Sequence, residues 1–555
     1  MRREGSTAAK STTRRQCLLT AAGIAAVAIA IYLPTLGADF VYDDHALIVR
    51  GDYVHDVGNL DEILTLRVLG QDVLDRNRPL ALLSTMIDSA LWDMNPIGYH
   101  ATNVLLHAAC SVLLFFLTLH LLGMTGIRRD DPRRERRGRL AGAAIAGCLF
   151  ALHPLNSEAV CVPSFREDLL CTFWTLAALL CAASLPQRRT LRQILTGVAI
   201  VLCCLLAITA KETGIAAPFA VLAYGLLFRR NEGMGRWCGI GGGALFVACG
   251  FLFARFILTP EPSAIYHYPP QFLGGSLYNT LMIQPRIWTA QVMSILWPGR
   301  LCADYGTFAL RYYPLGLSTL FLALLAIAAI QAARRNTVIF FSTVLAIAAL
   351  LPVSNLVPIY RPMADRYLYL PLTGICILIS YAVYRVSLLR PHWSHALLAL
   401  LSGATLATAT LFTLGRVRVW NNERALWLDT LAKNPYSSLA ATRLGAALYE
   451  EGNLRGAVEA WRKALHATQG QSAKAWAYLA LVFEQDGDTP AANQAYANAM
   501  TLDPRYGTPS RLVTNYILSA SEGLRMQRLA ERVAELPKAP PPISADTLPP
   551  AFPID

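Results

Sequence analysis

A chain of 555 residues that is 54% hydrophobic and only 15% charged lies outside the range of soluble domains, which are about 45–50% apolar and 25% charged. Its net charge of +12 does not point to nucleic acid, because the arginines cluster in short loops between apolar segments, a pattern that reports membrane topology. Nearly all twelve cysteines lie inside apolar segments, where they act as small hydrophobes and indicate neither a disulfide framework nor a zinc site.

In chain order, a basic tail over residues 1–16 precedes an apolar run over 17–36. That run is longer than a signal-peptide core and reads as a first, uncleaved span. Further crossings are predicted at about residues 99–123, 140–156, 168–185, 194–210, 213–228, 237–258, 313–333, 337–353, 367–388 and 396–415, each near the twenty residues that roughly 30 Å of hydrocarbon requires. Residues 281–297 are apolar but carry Pro285 and Arg286, and read as an interfacial or re-entrant helix. With the N-terminus cytoplasmic, Arg128, Arg129, Arg133, Arg134, Arg136, Arg137 and Arg139 stay inside, as do Arg188, Arg189, Arg192, Arg229, Arg230, Arg236, Arg334 and Arg335. Eleven crossings then place the first loop (37–98), the loop 259–312 and everything after residue 415 on the extracytoplasmic side. The expected fold is all-α: a polytopic membrane domain over 17–415 followed by a helical repeat domain over 416–536.

The repeat domain shows a period of thirty-five residues: Leu444 with Leu479, Gly452 with Gly487, Ala457 with Ala492, Trp461 with Tyr496, and Ala464 with Ala499. This is a tetratricopeptide pattern, in which small residues let two helices approach and an aromatic fills the gap to the next unit. Trp476 and Pro504 fit the opening aromatic and closing proline of the second unit. Two units need capping, expected from residues 423–432 and 511–536. The proline-rich tail, 537–555, reads as disordered.

Ionisable groups at membrane depth are functional-site candidates, and here they collect at the extracytoplasmic span ends. Asp43 and Asp44 follow the first span. Adjacent carboxylates repel, which leaves one as a base or metal ligand, or they form a solvated loop pair. His100, Asn103 and His107 share a helix face and could hold a metal. However, the two histidines lie about 10 Å apart along the axis, which favours hydrogen bonding between helices. His153, Glu158, Arg166, Glu167 and Asp168 flank the turn after the third span, Lys211 and Glu212 interrupt two apolar runs, and Arg361, Asp365 and Arg366 precede the tenth. Charge delivered to one leaflet by four loops argues for a common polar site, in which Lys211, Arg366, Arg166 and Arg361 suit a phosphate.

The segments 40–44, Arg78-Pro79-Leu80, 100–107, 149–154 with Glu158, 166–170, Lys211-Glu212 and 365–371 together resemble the transmembrane and tetratricopeptide repeat-containing O-mannosyltransferases of the GT-C superfamily. The resemblance runs in order over residues 37–371 and ends in repeats. It implies inverting transfer of a sugar, mannose or another hexose, from a polyprenyl or dolichyl phosphate to a protein serine or threonine hydroxyl. Asp43, or else Asp44, would be the general base, Arg78 and the other polar residues named would support the pocket, and the repeats would recruit the polypeptide. A divalent cation such as magnesium or manganese stays open, since metal dependence varies across that superfamily. The chain departs from the family in having few repeats, and in Asp365 where glutamate is expected before Arg-Tyr-Leu-Tyr. The second is conservative; a short repeat array and compact loops fit a bacterial inner-membrane member, whereas a eukaryotic one would lie in the endoplasmic reticulum. The rival readings are a transporter or flippase of lipid-linked sugars, which should show inverted repeats, and a non-catalytic membrane-anchored scaffold.

Overall fold

The computed structural model describes residues 2–125, 131–187, 190–259, 270–306, 308–389, 392–514 and 520–536. Arg128, Arg129, Arg188, Arg189 and the proline-rich tail lie outside them. Among the described residues there is no β-strand, and eight helices are long and apolar enough to cross a membrane. The protein is a multi-pass, all-α membrane protein.

Three predicted crossings take other forms. The one near 140–156 is the Pro132–Leu152 helix, broken from Pro154–Cys161 by a 45° bend. His153 is extended there (φ −74°, ψ 123°), because a residue before proline is pushed out of helical conformation. Glu212–Phe228 and Thr337–Val353 are apolar helices shorter than a full span. The Leu277–Leu296 helix keeps Pro285 inside it and is not among the helices apolar enough to cross.

The bundle has a centre and a rim. Its central helix, Asp365–Ser387, has 72% of its most apolar stretch buried against protein, whereas Leu315–Arg335 has 6% and presents its leucines outward, as lipid contact demands. Close approach at the centre depends on glycine. A Cβ on Gly374 would stand 2.5 Å from the Ser342 carbonyl oxygen, and one on Gly142 would stand 3.0 Å from that of Ser380, so neighbouring backbones touch as small residues permit.

The two ends of the bundle differ chemically. At one end Arg134 donates to the carbonyls of Ser387 and Leu389, Arg229 to those of Ala183 and Leu185, and Arg236 to that of Pro186. The opposite end carries the first loop, which folds around its own apolar core of Leu47, Ile48, Val54, Ile63, Leu82 and Met86.

Beyond the last span, the Glu423–Lys433 helix leads into two helix pairs, Ser438–Glu450 with Leu454–Ala467 and Ala473–Gln485 with Thr489–Leu502. Each pair turns at a left-handed glycine thirty-five positions from the other, Gly452 (φ +79°) and Gly487 (φ +81°), a conformation glycine adopts without penalty. Trp461 lies over Gly445, where a Cβ would be 2.3 Å from its indole, and stacks on Tyr478 of the next pair at 5.1 Å.

Candidate functional site

The Phe40–Asp44 segment leaves the first span and turns sharply. Tyr42 takes a left-handed φ of +59°, sparsely populated by residues with side chains, whereas Asp44 is right-handed helical (φ −58°, ψ −37°). The two neighbouring carboxylates therefore part company. Asp44 is fully buried; its Oδ1 accepts from the Ser164 amide at 2.7 Å and its Oδ2 from the Val41 amide at 3.1 Å. Asp43 is half-buried, and among the described residues its carboxylate takes no hydrogen bond or ion pair. It lies close enough to Arg361, Arg366 and Asp75 for its charge to act on each.

Burial pushes the Asp44 carboxyl up to about 7, against the pull of the Ser164 and Val41 donors. A raised folded-state value means that the fold holds this proton more tightly than the unfolded chain. The associated stability is full at acid pH and erodes as pH rises from the ordinary carboxylate range towards 7. Asp44→Asn turns an amide donor towards one of the two backbone N–H groups. We expect it to lower stability by about 1–3 kcal/mol, read as a lower melting temperature in detergent.

Arg366 stands in the segment before the central helix. Its backbone N–H donates to Glu158 Oε2 at 2.9 Å and its Nη1 pairs with Glu158 Oε1, while its guanidinium lies 3.8 Å from the centroid of Phe165. Tyr367 separates two cations, Arg366 at 5.3 Å and Lys211 at 5.5 Å from its ring centroid. Lys211 donates to Asp168 at 2.5 Å and lies 3.6 Å from Glu167. Glu167 meets Arg78 at 3.1 Å, which also reaches Asp75 at 3.0 Å and Glu212 at 3.5 Å. Arg255 completes the group on Glu212 at 2.8 Å. Drawn from the first loop, the turns at 158–168 and 211–212, and the 361–367 segment, Arg366, Tyr367, Lys211, Glu167, Arg78 and Asp75 thus form a polar ring beside Asp43, whose charge acts on both of its ends, Arg366 and Asp75.

The cations in this ring are unequal. Lys211 is buried and already held by two carboxylates. Arg361 is half-buried and shows one recorded bond, from Nη1 to Asp304 at 3.1 Å. Arg366 commits a single nitrogen of its side chain to Glu158. A phosphate beside Asp43 would therefore meet Arg361 and Arg366.

Arg166 is buried, and its guanidinium is held by two neighbouring helices. Its Nε donates to Asn103 Oδ1 at 2.7 Å, Nη1 to the Ser84 carbonyl and hydroxyl at 3.0 Å each, and Nη2 to the Tyr99 carbonyl at 3.0 Å, while Nη2 also forms an ion pair with Asp88. Four hydrogen bonds and a buried ion pair thus occupy a guanidinium that has five N–H donors. Asn103 is equally committed, its amide reaching the Ala159, Val160 and Val162 carbonyls at 3.2–3.4 Å. The histidines also hold helices together. His107 Nδ1 accepts from the Tyr369 hydroxyl at 2.7 Å and Nε2 donates to the Ala151 carbonyl at 3.1 Å; His100 meets Thr35 at 3.2 Å. His153 donates to the Ile295 carbonyl at 3.1 Å and accepts from the Leu155 amide at 3.3 Å. Asp365 is buried beneath the ring on the Tyr305 hydroxyl. Among the described residues, no group of three or more His, Cys, Asp or Glu is arranged to hold a metal ion.

Sequence reading missed two contributors. Asp75 sits in an unremarkable polar stretch. Glu423 lies 381 positions from Tyr42, whose amide donates to it at 2.7 Å, and no local pattern marks it.

Among proteins of known name, the chain is 25% identical over 468 residues to a protein O-mannosyl-transferase of Caenorhabditis elegans, covering 81% of this chain and 62% of that protein. It is 30% identical over 325 residues to one of Drosophila melanogaster, covering 53% and 35%, and 25% identical over 493 residues to one of Homo sapiens, covering 78% and 64%. The matched region thus spans less than two thirds of each relative's own length. No family model matches the chain, and no solved structure does. By sequence, then, the chain is similar over most of its length to protein O-mannosyl-transferases of worm and human.

Proposed function

We propose that the protein is a GT-C-type glycosyltransferase that moves a sugar, mannose or another hexose, from a polyprenyl or dolichyl phosphate to a serine or threonine hydroxyl of a polypeptide, at the extracytoplasmic face. The observation that carries this reading is the Asp43 carboxylate, half-exposed, without a partner among the described residues, and opposite Arg361 and Arg366. Asp43 takes the hydroxyl proton as the acceptor oxygen attacks the anomeric carbon. The bond from that carbon to the phosphate oxygen breaks, and its electron pair leaves with the phosphate, so the anomeric centre inverts. Arg361 and Arg366 meet the charge that grows on the departing phosphate. Lys211, Arg78 and their carboxylates hold the ring that positions these groups.

Bearing arginine loops at one end and the polar ring at the other, the bundle fits an orientation with the ring outward. The repeat helices, joined to the first loop at Glu423, would bring the polypeptide.

The test is transfer from radiolabelled polyprenyl-phosphate mannose to a serine- and threonine-rich peptide by purified protein in detergent with added lipid. Lipid flipping with no glycosylated product would favour the transporter reading instead. Arg361→Gln keeps Asp304 hydrogen-bonded to Ser437 at 2.6 Å, so the fold should survive. Loss of one charge-assisted phosphate contact should raise the donor KM about tenfold or more, and an unchanged KM would remove Arg361 from the donor site.

A further inference from the structure

Among the described residues, Asp43 makes no hydrogen bond or ion pair that could fix its own carboxylate, so its position is set by its neighbours. On one side Asp44 is anchored by the Ser164 and Val41 amides. On the other side stands Tyr42, whose left-handed backbone (φ +59°) is of a kind that persists only where surroundings over-determine it.

The surroundings come from the C-terminal helices. Glu423 Oε1 accepts the Tyr42 amide at 2.7 Å and lies 3.3 Å from His45 Nε2. Its other oxygen accepts from the Trp427 indole, and that indole lies 5.3 Å from the Tyr42 ring, which Phe165 flanks at 5.5 Å. The connection into this helix runs beside the first loop as well, because the Asp39 amide donates to the Asn421 carbonyl at 3.0 Å. Asn422 caps the helix on the Ala425 amide at 2.9 Å, which fixes where Glu423 begins. Burial opposes a charge on Glu423, but the His45 and Trp427 donors and nearby Arg443 hold its carboxyl below its ordinary range.

We infer that Glu423 is a positioning residue for Asp43: one carboxylate of the C-terminal helical domain holds the strained Tyr42 turn and thereby aims the carboxylate one position later. The domain that would bring the acceptor thus also completes the catalytic turn. This rests on the reading of Asp43 as the base, yet it can be tested apart from it.

The first measurement needs no substrate. Amide hydrogen exchange of the full-length protein should quicken at least tenfold in the segment around Tyr42 for Glu423→Ala, and much less for Glu423→Gln, whose amide oxygen still accepts from Tyr42 while its NH2 faces the Trp427 indole. Trp427→Phe, which removes only the indole donor, serves if the alanine variant fails to fold, and should give an intermediate rise. Unchanged exchange in every variant overturns the inference.

The second measurement is the transfer assay with polyprenyl-phosphate mannose. Glu423→Ala should lower kcat at least tenfold with little change in the acceptor KM, Gln should restore most of it, and adding the change to Asp43→Asn should lower the residual rate no further. An effect confined to the acceptor KM, or a further additive loss, overturns the inference. Full transfer by Asp43→Asn alone would instead remove the base, and the exchange result would still decide whether Glu423 holds the turn.

Discussion

Asp43→Asn is expected to lower the transfer rate by about 100- to 10,000-fold, the range associated with removing a general base, while leaving the melting temperature at the wild-type value. The second half follows from geometry: among the described residues the carboxylate holds no hydrogen bond or ion pair, so an isosteric amide breaks nothing in the fold. The drop should fall on kcat, since in the proposed reading the donor phosphate is met by Arg361 and Arg366 and not by Asp43. Asp44→Asn provides the contrast, because its carboxylate accepts two backbone amides and its replacement should act through stability. An Asp43→Asn protein that transfers at the wild-type rate would remove the proposed base.

Arg166→Met is expected to destabilise the protein by about 3–5 kcal/mol, the effect of stripping one partner from a buried ion pair. Methionine occupies similar length but leaves Asp88 charged and buried, and strands the Asn103 oxygen and the Tyr99 and Ser84 carbonyls. The measurement is thermal unfolding in detergent, followed by donor titration of whatever folded protein remains. Arg166→Lys should recover part of the loss, since an ammonium cannot span four partners arranged around a planar fork. A variant with wild-type melting and a raised donor KM would return Arg166 to the phosphate site.

The two substitutions separate residues that look alike along the chain. Both are charged, both stand near the end of a span, and both fall in segments that carry the family resemblance. One is half-buried and the other enclosed, because four neighbours from the Pro79–Trp92 and Pro96–Gly123 helices close on Arg166, while among the described residues none hydrogen-bonds or pairs with the Asp43 carboxylate. His100, Asn103 and His107 illustrate the same limit. Their shared helix face was legible in the spacing, and so was the argument against a metal, but the partners that occupy them, Thr35, the 159–162 carbonyls, Tyr369 and Ala151, come from other segments.

What sequence determined by itself is what depends on local composition and period. Apolar runs of near twenty residues mark spans because hydrocarbon thickness sets a length; arginine loops mark one end of the bundle because translocating them is costly; and a thirty-five-residue period marks paired helices because each pair turns at a glycine. Only the tertiary structure decided how Asp43 and Asp44 differ, why Arg166 is closed to a ligand, where the 140–156 segment breaks, and that Asp75 and Glu423 belong beside the site. These depend on the direction of a left-handed turn at Tyr42 and on hydrogen bonds between residues up to 381 positions apart. A side chain's partners are chosen by three-dimensional proximity, and one-dimensional spacing carries no record of them.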